Sequence, residues 1–150
     1  MRSTVRKLPK YEQTISAALI SAKEAVLSPM RPRLRENLIT EPQWRVMRVL
    51  NDRGRTDATG IAEVALLHPP SVTRILKELE ARGIVVRDID PDDKRRAMAI
   101  LTPEGRGLIR LIARDVRRVM SEYAERFGAE RLERLLTELQ ALTAAIKGVE

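Results

Sequence analysis

With 150 residues the chain matches one ordinary domain, and its lack of cysteine excludes a disulfide framework, a thiolate nucleophile and a Cys-based metal site. Twenty-eight Lys and Arg against twenty-one Asp and Glu leave +7 and an isoelectric point near 10.3, which suits a polyanionic partner, nucleic acid before acidic membrane. A single histidine, His68, and no HExxH, GxSxG, Walker A or GxGxxG string argue against an enzyme, and no cofactor or metal is expected.

The segment Met1 to Lys10 is basic but no apolar stretch follows it, and no run is long enough to cross a bilayer, so a soluble cytoplasmic protein is expected. From Tyr11 to about Asn37 apolar residues recur at helical spacing (Ile15, Leu19, Ile20, Val26, Leu27), with Pro29 and Pro32 bending or ending the run. Thr40 and Gln43 form a T-x-x-Q capping box that opens a helix to about Asp52, carrying Trp44, Val46, Met47, Val49 and Leu50. A turn at Asp52 to Arg55 leads into a short helix, about Thr59 to Leu67. Pro69 starts the next one, whose apolar face is Val72, Ile75, Leu76 and Leu79 and whose end is Gly83.

Ile84 to Val86 and Met98 to Leu101 read as the two strands of a hairpin, with Asp90-Pro91-Asp92-Asp93 as its polar tip. Thr102 then caps a long helix with Pro103 in its first turn, and that helix runs to Gly128. A last helix, from about Ala129, aligns Leu132, Leu135, Leu136, Leu139, Leu142 and Ile146. The expected architecture is mainly α with a small β-wing: a winged helix-turn-helix over about 40–102, flanked by long terminal helices over about 11–37 and 103–148, in a single domain.

That order of elements sends a second helix into the major groove through residues near its N-terminus. Here these are Pro70, Ser71, Thr73 and Arg74, opposite the apolar face, with Lys77 one turn on. Arg74 can read guanine bidentately, Ser71 and Thr73 can bond phosphates or base edges, and Lys77 can neutralise a phosphate. Lys94, Arg95 and Arg96 follow the acidic tip and place positive charge where a hairpin approaches the minor groove. A solvated polar face remains the plainer reading of either element taken alone; their spacing favours DNA.

The segment Ile61 to Gly105 resembles the DNA-binding core of MarR-family regulators, including the wing signature D-x-R-x-x-x-x-x-L-T at Asp93, Arg95, Leu101 and Thr102. The resemblance implies that Arg95 enters the minor groove and that Asp93 helps hold the wing. The glycine common at the helix-turn-helix joint is replaced by Leu66, and the usual hydroxyl cap by His68. A more open turn and a shifted start of the recognition helix are therefore expected. Ser28 to Leu50 further resembles the branch that regulates aromatic-acid degradation, such as homoprotocatechuate.

The terminal helices carry more apolar face than a small winged domain covers, which predicts a homodimer, although the same helices can instead fold back on their own core. A dimer places two recognition helices about 34 Å apart on a pseudo-palindromic operator in double-stranded DNA. The resemblance implies repression relieved by a small phenolic or aromatic acid. Ser28, Arg31, Trp44 and His68 are its candidate contacts: a hydrogen-bond donor, a carboxylate partner, a stacking surface and a group at the joint. Trp44 is also a natural core residue, and His68 a natural helix N-terminal group. Arg45 and Arg48 are further candidates without an assigned role. A protein-interaction module whose wing binds no DNA is the alternative function.

Overall fold

The computed structural model describes residues 7–93 and 95–148. After a 3-10 turn at Tyr11–Gln13, helix α1 spans Ile15–Leu27 and α2 spans Arg31–Glu36. The stretch read as one bent helix is thus two helices, parted where Pro29 and Pro32 remove backbone donors. Helix α3, Glu41–Arg53, starts on the full capping box: Thr40 Oγ1 accepts the Gln43 N–H at 3.2 Å, and Gln43 Oε1 accepts the Thr40 N–H at 3.0 Å.

Strand β1, Thr56–Asp57, precedes α4, Ala58–Ala65, and α5, Pro69–Ala81. Strands β2, Val85–Ile89, and β3, Ala97–Leu101, form the wing, followed by α6, Pro103–Phe127, and α7, Ala129–Ile146. The sheet is antiparallel in the order β1-β3-β2, with Thr56 opposite Ala99 and Val85 opposite Leu101. Its third strand was not expected. The turn after α3 ends in β1, and Asp57 rather than a later residue caps α4 by accepting the Gly60 N–H at 2.8 Å.

One core joins α3, α4, α5, the sheet and the first half of α6. Val46, Met47, Ile61, Val72, Leu79, Val85 and Ile112 are fully buried at its centre. Five residues of α6 are buried, Gly105, Ile109, Ile112, Val116 and Val119, whereas α1 and α7 bury none. Ile15, Ile20, Val26, Met120, Leu136 and Ile146 are exposed, so the apolar stripes of the terminal helices stay uncovered in one chain. Among the described residues no helix is long and apolar enough to cross a membrane.

The wing is tied to α6 at a close approach. Thr102 Oγ1 accepts the Gly105 N–H at 3.0 Å and donates to Gly83 O at 2.6 Å, while the Thr102 N–H donates to Ile84 O at 3.0 Å. A Cβ on Gly105 would lie 2.2 Å from Ile84 O. Alanine ordinarily stabilises a helix over glycine by about 1 kcal/mol. At this position the sign should reverse: Gly105→Ala is expected to lower stability by about 2 kcal/mol or more, read as a fall in the denaturation midpoint.

Candidate nucleic-acid interface

Helices α4 and α5 meet at Leu66, which adopts φ 56° and ψ 50°. That left-handed conformation disfavours a β-carbon by about 1–2 kcal/mol, yet it closes the joint as a glycine would. The N–H groups of Leu66 and Leu67 both bond Ala62 O, the latter at 3.0 Å. The guanidinium of Arg45, on α3, donates to Ala65 O and to Leu66 O, the second at 3.1 Å, so orphan carbonyls at the end of α4 gain a partner. The expected opening of the turn therefore does not occur, and α5 begins at Pro69 with His68 as an N-cap that makes no side-chain capping bond. Leu66 itself is 81% exposed.

Burial of Val72, Ile75, Leu76 and Leu79 turns the rest of α5 outward. Pro70, Thr73, Arg74 and Lys77 are exposed and Ser71 is half-buried, so Ser71 faces outward less than its sequence position suggested. Thr73 donates back to Pro69 O at 3.2 Å and keeps its oxygen free to accept. The Arg74 side chain is 75% exposed, at 4.0 Å from Glu78, which Gln43 Nε2 holds from the other side at 3.0 Å. Arg74 is thus only loosely paired.

On the wing, Asp93 folds the tip: its Oδ1 accepts the Arg95 N–H at 3.0 Å and its carbonyl accepts the Arg96 N–H at 3.0 Å. Arg95 is exposed and has no carboxylate partner among the described residues. Lys94 lies outside the described residues. Arg96, the neighbouring candidate DNA contact, is paired with Asp57, through Nε at 2.8 Å and Nη2 at 2.6 Å. Two more ion pairs fasten the wing, Arg87 to Glu80 of α5 and Arg55 to Asp88, the second at 2.8 Å. The N–H of Gly60 above all holds the Asp57 carboxyl below the usual carboxylate range; burial opposes it, and Arg96 adds to the lowering. A groove of about 240 Å³ is lined by residues of the wing, the start of α4 and the recognition helix, Arg95 and Thr73 among them.

The four candidate effector contacts differ in burial and setting. Trp44 is a core residue, 5% exposed, with the Arg48 guanidinium 5.9 Å from its ring centroid; burial of a large aromatic face won over an open stacking surface. Ser28 is exposed at the end of α1, and His68 is exposed at the joint. Arg31 lines a cleft of about 440 Å³, with Leu34, Arg35, Leu38, Ile39, Thr40 and Glu41, while its guanidinium bonds both oxygens of Glu24 at 2.8 and 2.9 Å. Sequence reasoning missed Asp57, whose only local sign is its cap position before Ala58-Thr59-Gly60, and it gave Arg45 no role.

A family profile described as the MarR family matches residues 39–97. The HTH-type transcriptional regulator FarR of Neisseria gonorrhoeae is 37% identical over 136 residues, 89% of this chain and 93% of that protein. The chain belongs to the MarR family. It is thus a transcriptional regulator rather than an enzyme. The homoprotocatechuate degradative operon repressor of Escherichia coli is 30% identical over 131 residues, 87% of this chain and 88% of the repressor. Two solved MarR-type structures superpose over nearly the whole chain. NadR in complex with 4-hydroxyphenylacetate gives a TM-score of 0.77 at 34% identity, covering 95% of this chain and 99% of that one. The transcriptional repressor CouR bound to a 23-mer DNA duplex gives 0.82 at 25% identity, covering 91% and 99%.

Because Leu66 packs against little and sits in a glycine-favoured conformation, Leu66→Gly should raise stability by about 0.5–1 kcal/mol, the relief of strain exceeding the added freedom of the unfolded chain. Thermal unfolding should show a midpoint a few degrees higher; an unchanged or lower midpoint would mean that the leucine side chain is held by contacts of its own.

Proposed function

We propose that this regulator works as a homodimer on a pseudo-palindromic operator, with α5 in the major groove and the wing at the minor groove, and that it represses an aromatic-compound catabolic operon. A small phenolic or aromatic acid releases it. The observation that carries the DNA reading is the shared groove: Thr73 of the recognition helix and Arg95 of the wing both line it, with Arg74 and Lys77 exposed on the same helix. A helix and a hairpin tip spaced in this way can grip adjacent grooves of one duplex. The similarity to CouR, solved on DNA, supports that reading.

The dimer is supported by the terminal helices. Ile15, Leu19, Ile20 and Val26 of α1 and Leu135, Leu136 and Ile146 of α7 are all exposed, a repeated apolar stripe with no cover of its own. Each such side chain gains about 1.5–3 kcal/mol on full burial, so a second copy is the natural cover. The name of the Escherichia coli relative and the ligand in the NadR structure point to aromatic acids and to repression. For this chain the carboxylate is assigned to Arg31, which is already at a cleft and would exchange Glu24 for the effector.

Selection from a randomised duplex library should enrich an inverted repeat, and affinity for it should fall steeply between about 50 and 200 mM salt. Arg95→Ala should weaken binding and lower the salt slope by about one unit for each subunit engaged. Arg74→Ala should relax preference at one position of each half-site, costing about 1–3 kcal/mol. No binding to any duplex at low salt would instead favour a protein-interaction role. In thermal-shift measurements 4-hydroxyphenylacetate should raise the midpoint of the wild type and leave that of Arg31→Ala unmoved; equal shifts in both would remove Arg31 from the effector site.

A further inference from the structure

We infer that Arg96 is a positioning residue: its ion pair with Asp57 fixes the wing to the start of α4 and leaves the wing's contact with nucleic acid to Arg95. The inference rests on the DNA-binding reading above and divides the adjacent wing arginines into different roles.

The Asp57 carboxylate is fully engaged. Both Nε and Nη2 of Arg96 reach Oδ2, at 2.8 and 2.6 Å, while Oδ1 accepts the Gly60 N–H at 2.8 Å. The acid is mostly shielded, its side chain 18% exposed. A built Cβ on Gly60 would lie 2.9 Å from Thr56 Cγ2 and 3.0 Å from Asp57 Oδ1, so glycine at this position lets the carboxylate approach the helix start. One aspartate therefore caps α4, belongs to the strand that pairs with β3, and receives the wing arginine.

Arg96 is the right residue to pin. Its carbonyl accepts the Asp90 N–H at 2.9 Å and its own N–H donates to Asp93 O at 3.0 Å, which makes it the last residue of the tip before β3. Holding it by the side chain fixes where the tip begins, and with it the position of Arg95 one residue earlier. Asp57 and Arg96 line the same groove as Thr73 and Arg95, so the pair lies where wing and recognition helix meet. A guanidinium already neutralised by a carboxylate displaces few counterions from DNA, whereas Arg95, unpaired among the described residues, displaces its full share.

The roles separate by the sign of one substitution. Asp57→Asn keeps a side chain that can cap α4 and removes a negative charge beside the duplex. On charge alone that change strengthens binding and frees Arg96 for phosphate. As a partner of the positioning residue, its loss instead weakens binding. The probe is a fluorescein-labelled copy of the duplex recovered by selection with the wild type, titrated over about 50–200 mM salt, with folding followed by circular dichroism.

Asp57→Asn and Arg96→Ala should each weaken binding about tenfold, the scale of one misplaced contact, with salt slopes like that of the wild type. The double variant should bind no more weakly than either single one. Arg95→Ala, in contrast, should lower the slope. Stronger binding by Asp57→Asn, or a slope reduced by Arg96→Ala as much as by Arg95→Ala, would overturn the assignment and make Arg96 a phosphate contact. Should Arg96→Ala fail to fold, Asp57→Asn alone decides through its direction. Failure of the wild type to bind any duplex is a distinct result, which overturns the DNA-binding reading and this assignment together.

Discussion

The rotation of α5 about its own axis is the constraint on which the remaining structure depends. Val72 and Leu79 are wholly buried and Ile75 and Leu76 nearly so, packed under α3, α4 and the first strands of the wing. Exposing any one of them would cost about 1.5–3 kcal/mol, so no turn of the helix is available that hides Arg74 or Lys77. The 3.6-residue period then dictates the outward set, and the tight joint at Leu66 dictates where the helix begins. The sheet packs its Val85, Ala99 and Leu101 into the same core, which is why a hairpin of five-residue strands keeps a fixed place beside the helix.

Two groups of arginines in this chain serve the fold itself, and net charge does not distinguish them from the rest. Arg45, Arg82 and Arg106 donate to carbonyls at element ends: Ala65 and Leu66, Asn37 and Leu38, and Leu101 respectively. Arg31, Arg55, Arg87 and Arg96 are paired with carboxylates. These groups hold backbone turns and the wing together. Arg82 matters in the same way as Arg45, because Leu38 is a second leucine at positive φ, 56°, and its carbonyl is bonded by Arg82 at 2.6 Å. Arg74 and Arg95 belong to neither group and are exposed, one on the outward face of α5 and one at the wing tip.

Elements with a local code were readable from the chain. The Thr40-Gln43 box, Thr102 before Pro103, Pro69 after His68 and the glycine at Gly128 each place a boundary within a residue or so of the observed one. Two-residue β1 has no period to read, because alternation needs a longer strand. The Asp57–Arg96 pair joins residues 39 apart, and nothing local announces it. Leu66 is conspicuous in the sequence where a glycine is common, but its tight turn is not, because backbone bonding and Arg45 offset the cost of a β-carbon there only in the folded chain. Element order alone sets the recognition helix beside the wing, whereas the cleft that Arg31 lines is assembled by tertiary packing that spacing does not encode.

The uncovered stripes of α1 and α7 have a consequence for gene control itself. When a helix finds its apolar cover only on another copy of the same polypeptide, pairing obeys mass action, and the concentration of paired molecules rises as the square of the amount synthesised while pairs are scarce. Promoter occupancy under such a scheme is a steep function of expression level. Dilution by growth and division would then switch the target genes more sharply than a solitary DNA-binding unit allows.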